Sequence, residues 1–124
     1  MLLIDTSAWI EFFLKNKKGE RVKHYLKTES CYTSIVSIAE ISNWASRQKL
    51  DGGELVGYVI ELTQVAGLNL KIAFLAGELN FQRKKIEKDW GMMDSFILAT
   101  ARIYNLKILT KDSQFRDLLD VEIL

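Results

Sequence analysis

The sequence contains no proline, one cysteine and one histidine. Each shortage excludes a class of protein. A lone Cys31 cannot form an internal disulfide, which argues against a secreted, bridge-stapled scaffold and predicts a reducing compartment, the cytoplasm. One His and one Cys cannot build a usual zinc site, which draws three or four nitrogen, sulfur or carboxylate ligands. No apolar run approaches the roughly 18 residues of a membrane span. The N-terminus shows neither a basic leader nor a small-residue cleavage site, so no signal peptide is expected. Phosphate-cradling loops are missing too. The stretch from Gly52 to Gly57, "GGELVG", is not G-x-x-x-x-G-K-[ST], and no G-x-G-x-x-G occurs.

What is present describes an ordinary globule. The 124 residues are 48% hydrophobic and 27% charged, without repeats or low-complexity tracts, and predict a single domain over 1–124. The net charge of +1 conceals local clusters. Lys15, Lys17, Lys18, Arg21, Lys23 and Lys27 crowd one segment, and Arg83, Lys84, Lys85 and Lys88 another. Such runs are solvated helix faces or an electrostatic footprint for a polyanion, and composition does not choose between them.

Apolar periodicity and polar punctuation predict alternating strands and helices. Strands are expected at 2–5, around Cys31–Thr33, at Leu68–Ile72 ("LNLKI"), at "KILT" and at "VEIL". Helices are expected at Ser7–Lys15, Gly19–Thr28, from an N-cap at Ser34 through "SIVSIAEISNWASRQ", over 53–65, over Phe74–Lys88 and along "DSFILATARIYN", with a helical turn at "SQFRDL". This alternation predicts a three-layer α/β/α fold around a mostly parallel sheet. In such a sheet each β-to-α turn emerges at the carboxyl edge, where ligands collect.

Two acids follow strands: Asp5 after "LLI" and Asp112 after "KILT". Asp94 opens a helix. Each could simply cap its helix, accepting an orphan backbone N–H. Glu40 does not fit that explanation, because it lies inside a helix with Val36, Asn43 and Arg47 on its face and Trp44 beside it. Either Arg47 pairs with it or it serves a site. Jointly the acids form a cluster of like charge that a divalent cation would relieve. An all-oxygen set suits Mg²⁺ or Mn²⁺.

Together "LLIDTSAWIEFF", "TSIVSIAEI" and "MMDSFILATARIYNLKILTKDSQF" resemble the PIN-domain ribonucleases, most closely the VapC-type toxins of VapBC toxin–antitoxin modules. The resemblance spans the chain and is weakest between about 50 and 90. It implies a five-stranded parallel sheet and metal-dependent endoribonuclease activity with Mg²⁺ or Mn²⁺. Asp5, Glu40, Asp94 and Asp112 would be the catalytic, metal-binding acids, and Thr110 an accessory hydroxyl. Asp89 is the substitute if the third acid is misplaced. The resemblance also implies a homodimer and a VapB-type antitoxin partner that covers the acidic cleft. Trp9, Phe12 and Trp44 would either stack RNA bases or pack a core or dimer contact.

Other readings compete. A PIN nuclease of RNA maturation, or an inert RNA-binding module of the same fold, would share these features. Haloacid-dehalogenase-like enzymes need a second acid where this chain has Ser7. Response-regulator receivers usually carry an acidic pair after the first strand, and Asp5 stands alone.

Overall fold

A computed structural model describes residues 1–124 and shows how the alternation is realised. The strands are β1 (Leu2–Ile4), β2 (Cys31–Ser34), β3 (Gln64–Ala66), β4 (Lys107–Thr110) and β5 (Val121–Ile123). The helices are α1 (Thr6–Leu14), α2 (Lys17–Thr28), α3 (Ile35–Arg47), α4 (Gly52–Leu62), α5 (Leu70–Lys84) and α6 (Met92–Tyr104), and Ser113–Phe115 form one 3₁₀ turn. All strand pairings are parallel, in the order β3-β2-β1-β4-β5. The chain therefore builds one half of the sheet outward from β1, returns, and builds the other from β4. The reversal lies between β1 and β4, where the carboxyl ends leave a crevice.

Strand alternation divides the apolar interior in two. Leu2 and Ile4 of β1 and Leu109 of β4 join Ala8, Trp9, Val22, Ile41 and Val59 from α1–α4. Leu3 and Ile108 point the other way, into Ile72, Ala76, Leu79, Ile97, Leu98 and Ala101 of α5 and α6, together with Trp90 and Phe115. β1 is thus buried on both faces, which is why it reads as an unbroken apolar run rather than an alternating one. Trp9 is fully buried and donates its indole N–H to Thr33 Oγ1 at 3.1 Å, so it belongs to the core and has no face for a base. Phe12 and Trp44 are half-buried around Phe13.

Side-chain caps start most helices. Asn16 accepts from Gly19, Ser34 from Val36, Asp51 from Glu54 and Asn69 from Ile72. The Asn69 cap corrects the expectation of a strand at Leu68–Ile72. Its side chain holds the Ile72 N–H at 2.8 Å and starts α5 at Leu70, while the third strand lies earlier, at Gln64–Ala66 beside β2. The alternation in "LNLKI" is therefore the start of a helix with Ile72 buried and Leu70 exposed. A second correction concerns Arg83. It belongs to no solvated basic face but is 5% exposed and bonded to Asp117.

Gly19 marks the closest approach of α1 and α2, since a Cβ there would meet the Glu11 carbonyl oxygen at 2.2 Å. Backbone cannot yield as a flexible side chain would. Gly19→Ala should therefore cost about 1–3 kcal/mol in a urea titration. Gly77→Ala, in the middle of α5 with nothing within 4 Å, should instead raise stability by up to about 1 kcal/mol. Equal midpoints for the two variants would contradict this packing.

Candidate acidic site

Asp5 occupies the N-cap position of α1 with extended backbone, yet its side chain makes no capping bond. Instead Asp5 Oδ2 accepts from Thr110 Oγ1 at 2.8 Å and from Ser7 Oγ at 2.9 Å. The two hydroxyls lie 3.0 Å apart. Thr110 Oγ1 also receives the Asp112 backbone N–H at 3.0 Å, and Ser7 Oγ receives the Lys111 N–H at 3.0 Å. One carboxylate thus ties the end of β1 to the turn after β4, using hydroxyls from both. Asp5 is 5% exposed, and burial raises its carboxyl above the usual range, while the Thr110 and Ser7 bonds pull the other way.

The other acids surround it. Asp112 accepts from the Gln114 N–H at 2.9 Å and so caps the 3₁₀ turn. Asp94, in the first turn of α6, accepts the Gly91 N–H at 2.9 Å. Its carboxyl is pushed up to about 6, first by burial and then by the charges of Asp5, Asp112 and Glu40. Glu40 is half-buried on α3, and Thr6 Oγ1 lies 2.6 Å from its Oε1 and 2.9 Å from Ser37 Oγ. Having one proton, the threonine hydroxyl serves the carboxylate and accepts from the serine. Burial raises Glu40, with Asp5 adding to it. The charges of Asp5, Glu40, Asp94 and Asp112 are therefore mutually felt within one crevice.

Two residues weighed from the sequence stand outside. Arg47 is exposed and forms no ion pair with Glu40, and Asp89 is exposed and contributes no charge to the others. Thr6, Ser7 and Ser37 are the residues that sequence reasoning left without a role. The hydroxyls of "DTS" were visible, but apart from the local Ser7–Asp5 bond their partners Ser37, Glu40 and Thr110 are 31 to 103 residues away. Beside Asp112 a cavity of about 280 Å³ is lined by Ser7, Ile10, Glu11, Lys111 and Asp112. Its one cation, Lys111, stands 3.6 Å from the buried Glu11 carboxylate. Two larger cavities, of about 380 and 620 Å³, touch none of the four acids.

The donors are all oxygen, the preference of a hard divalent cation. No three acidic, His or Cys side chains are drawn together closely enough to enclose an ion. Mg²⁺ does not require it, being commonly held by one or two carboxylates with several retained waters.

An acidic crevice at the switch point of a parallel sheet between two helical layers defines an α/β domain of a recognisable class. The chain belongs to the PIN domain family, whose profile matches residues 2–119. Among solved structures it is similar to a toxin–antitoxin complex from Klebsiella pneumoniae, with 19% identity, a TM-score of 0.79, and coverage of 98% of this chain and 96% of the other. VapBC2 from Rickettsia felis, bound to a promoter DNA fragment, has 14% identity, a TM-score of 0.77 and coverage of 99% and 98%. Mycobacterium tuberculosis VapC20, described as a sarcin-ricin loop cleaving toxin, has 15% identity, a TM-score of 0.74 and coverage of 99% and 98%. At these identities the likeness is one of fold. No curated protein matches the chain in sequence. No helix is long and apolar enough to cross a membrane.

The raised carboxyls have a consequence for stability. Between pH 3.8, the ordinary value of Asp94, and about 6, the folded chain keeps a proton that the unfolded chain has released. Stability must then fall as pH rises through this window, and Asp5 and Glu40 act in the same direction. In EDTA the thermal midpoint should decline from pH 4 to pH 7. Asp94→Asn should flatten that decline and raise the midpoint at pH 7. An unchanged slope in this variant would remove Asp94 from the explanation.

Proposed function

We propose that the chain is a metal-dependent endoribonuclease and the toxin component of a VapBC-like, type II toxin–antitoxin pair. The observation that carries this reading is the convergence of Asp5, Glu40, Asp94 and Asp112 at the β1–β4 crevice, where each feels another's charge and no Lys or Arg pairs with any of them. That is the electrostatic state of a site whose counter-charge arrives with a ligand. The similarity to VapBC complexes and to a toxin described as cleaving the sarcin-ricin loop supports RNA as substrate and an antitoxin as partner.

In this reading Asp5, Asp94 and Asp112 would hold Mg²⁺ or Mn²⁺, with Asp5 and Asp94 as the direct ligands, and Glu40 would assist the metal or the nucleophile. The bound ion supplies a more acidic water and charge stabilisation for the leaving oxygen. The protein contributes position. Thr110 and Ser7 both donate to one oxygen of Asp5, Thr6 aims Glu40, and the turn amides fix Asp94 and Asp112. Lys111 beside Asp112 and the exposed lysines of α2 meet the RNA backbone in a salt-sensitive way. The protein works in the cytoplasm as a homodimer, and an antitoxin side chain of positive charge fits the acidic crevice.

The test is cleavage of structured RNA by the purified chain with Mg²⁺ or Mn²⁺. EDTA should abolish it, and Asp5→Asn should lower the rate at least about 100-fold, the scale of losing a direct ligand in a catalytic charge cluster. Mn²⁺ should also raise the thermal midpoint of the native chain but not of Asp5→Asn. Cleavage that survives both EDTA and Asp5→Asn would defeat the metal mechanism. RNA binding without cleavage on any substrate would identify an inert module. Cleavage not inhibited by the product of a neighbouring small gene would point to RNA maturation instead.

A further inference from the structure

We infer that Arg83, outside the acidic crevice, is a positioning residue that sets Asp94 and Asp112 in place together. The inference rests on the nuclease reading above for its functional consequence, but not for its geometry.

Arg83 is a buried guanidinium near the end of α5. Nη1 and Nη2 clamp both oxygens of Asp117, at 2.7 and 2.9 Å, and Nη2 also donates to the Gln114 carbonyl at 2.6 Å. The same Gln114 gives its own N–H to Asp112 Oδ1 at 2.9 Å. One cation therefore grips the residue that holds one site acid. Its Cζ lies over the Trp90 ring, 4.6 Å from the centroid, and Trp90 packs on Phe115 at 4.7 Å. Trp90 in turn donates to Ser95 Oγ at 2.7 Å, next to Asp94, and precedes Gly91, whose N–H holds Asp94 Oδ2 at 2.9 Å. A second ion pair, Arg116 to Glu87 at 3.1 Å, ties the same turn to the segment after α5.

A helix-to-loop staple alone would be served as well by an apolar side chain, because burying a guanidinium brings a large desolvation cost even when its partner, Asp117, stays half-exposed. The cost is visible here, since Arg83 Nε is buried with no hydrogen-bond partner among the protein groups. What an apolar residue could not do is grip a carboxylate, a backbone carbonyl and an indole face at once. A lysine ammonium, lacking the planar fork, could not reproduce all three. The guanidinium thus connects two loops that each present an acid.

The experiment compares the full chain with Arg83→Met, Arg83→Lys and Asp117→Asn. Amide hydrogen exchange in EDTA reads geometry without metal or activity, and Mn²⁺ titration reads the site. In Arg83→Met the Gln114 and Gly91 amides should exchange at least about tenfold faster while those of β1 keep their protection. Mn²⁺ binding should weaken about 10–100-fold, the usual consequence of losing a residue that orients ligands. RNA cleavage should lose kcat with KM unchanged, and Arg83→Lys should restore part of each effect. A folded Arg83→Met with native exchange at both amides and native Mn²⁺ affinity would overturn the inference. If Arg83→Met unfolds, Asp117→Asn must show the same selective loosening, and its absence there is equally fatal. Should the native chain bind no Mn²⁺, the nuclease reading falls, while the exchange data still decide whether Arg83 positions the two loops.

Discussion

The pairing of β1 with β4 is the constraint on which the remainder of the molecule depends. These strands are 103 or more residues apart along the chain, yet Leu2, Leu3 and Ile4 lie in register with Lys107, Ile108 and Leu109, and the Asp5 N–H continues the ladder to the Leu109 carbonyl at 2.9 Å. Because side chains alternate, a slip of one residue would exchange the two cores, sending Leu3 to the α1–α4 face and Leu2 and Ile4 to the other. Register is therefore strongly specified by burial on both faces. It also brings Asp5 beside Thr110. The apolar demands of the core thus place a carboxylate and a hydroxyl from opposite ends of the chain within 2.8 Å.

Around that contact the fold assembles charges that oppose folding. Asp5, Glu40 and Asp94 are all raised by burial, and each feels another site acid. The hydroxyls of Ser7, Thr110 and Thr6 offset part of the desolvation by donating to two of these carboxylates, but none carries a positive charge. The one ammonium in the neighbouring cavity, Lys111, faces Glu11. By contrast, the buried guanidinium of Arg83 pairs with Asp117 outside the crevice. Such a division, with structural acids paired and site acids left unpaired, is the pattern expected where local stability yields to function.

Much of this was legible in order along the chain. Asp5 and Asp112 follow apolar strands, and strand-then-acid is a local pattern. Ser34 reads as a cap because capping involves neighbours two or three residues on. The helical alternation and the resemblance to PIN domains agreed on sheet type, and the PIN family assignment holds for residues 2–119. The segment from 50 to 90 was least legible. There "LNLKI" satisfies both a strand and a helix start, and only the Asn69 cap and the burial of Ile72 against α6 resolve it. Arg83 likewise looked like one more basic residue in Arg83–Lys88, because nothing local distinguishes a buried guanidinium from a solvated one.

By itself, the sequence determined what interacts within a few residues: caps, strand-terminal acids, an apolar β1, and an inventory too poor in His and Cys for zinc. Tertiary structure alone decided which groups meet. It gave Glu40 a threonine rather than Arg47, turned Trp9 inward to Thr33, and hid Arg83 behind Asp117. Asp5 was also spared the capping role its position offered, because Thr110 and Ser7 occupy it instead. The physical reason is range. Capping bonds and periodicity are properties of short segments, whereas burial, hydroxyl partners and mutual repulsion arise only when distant segments share a crevice.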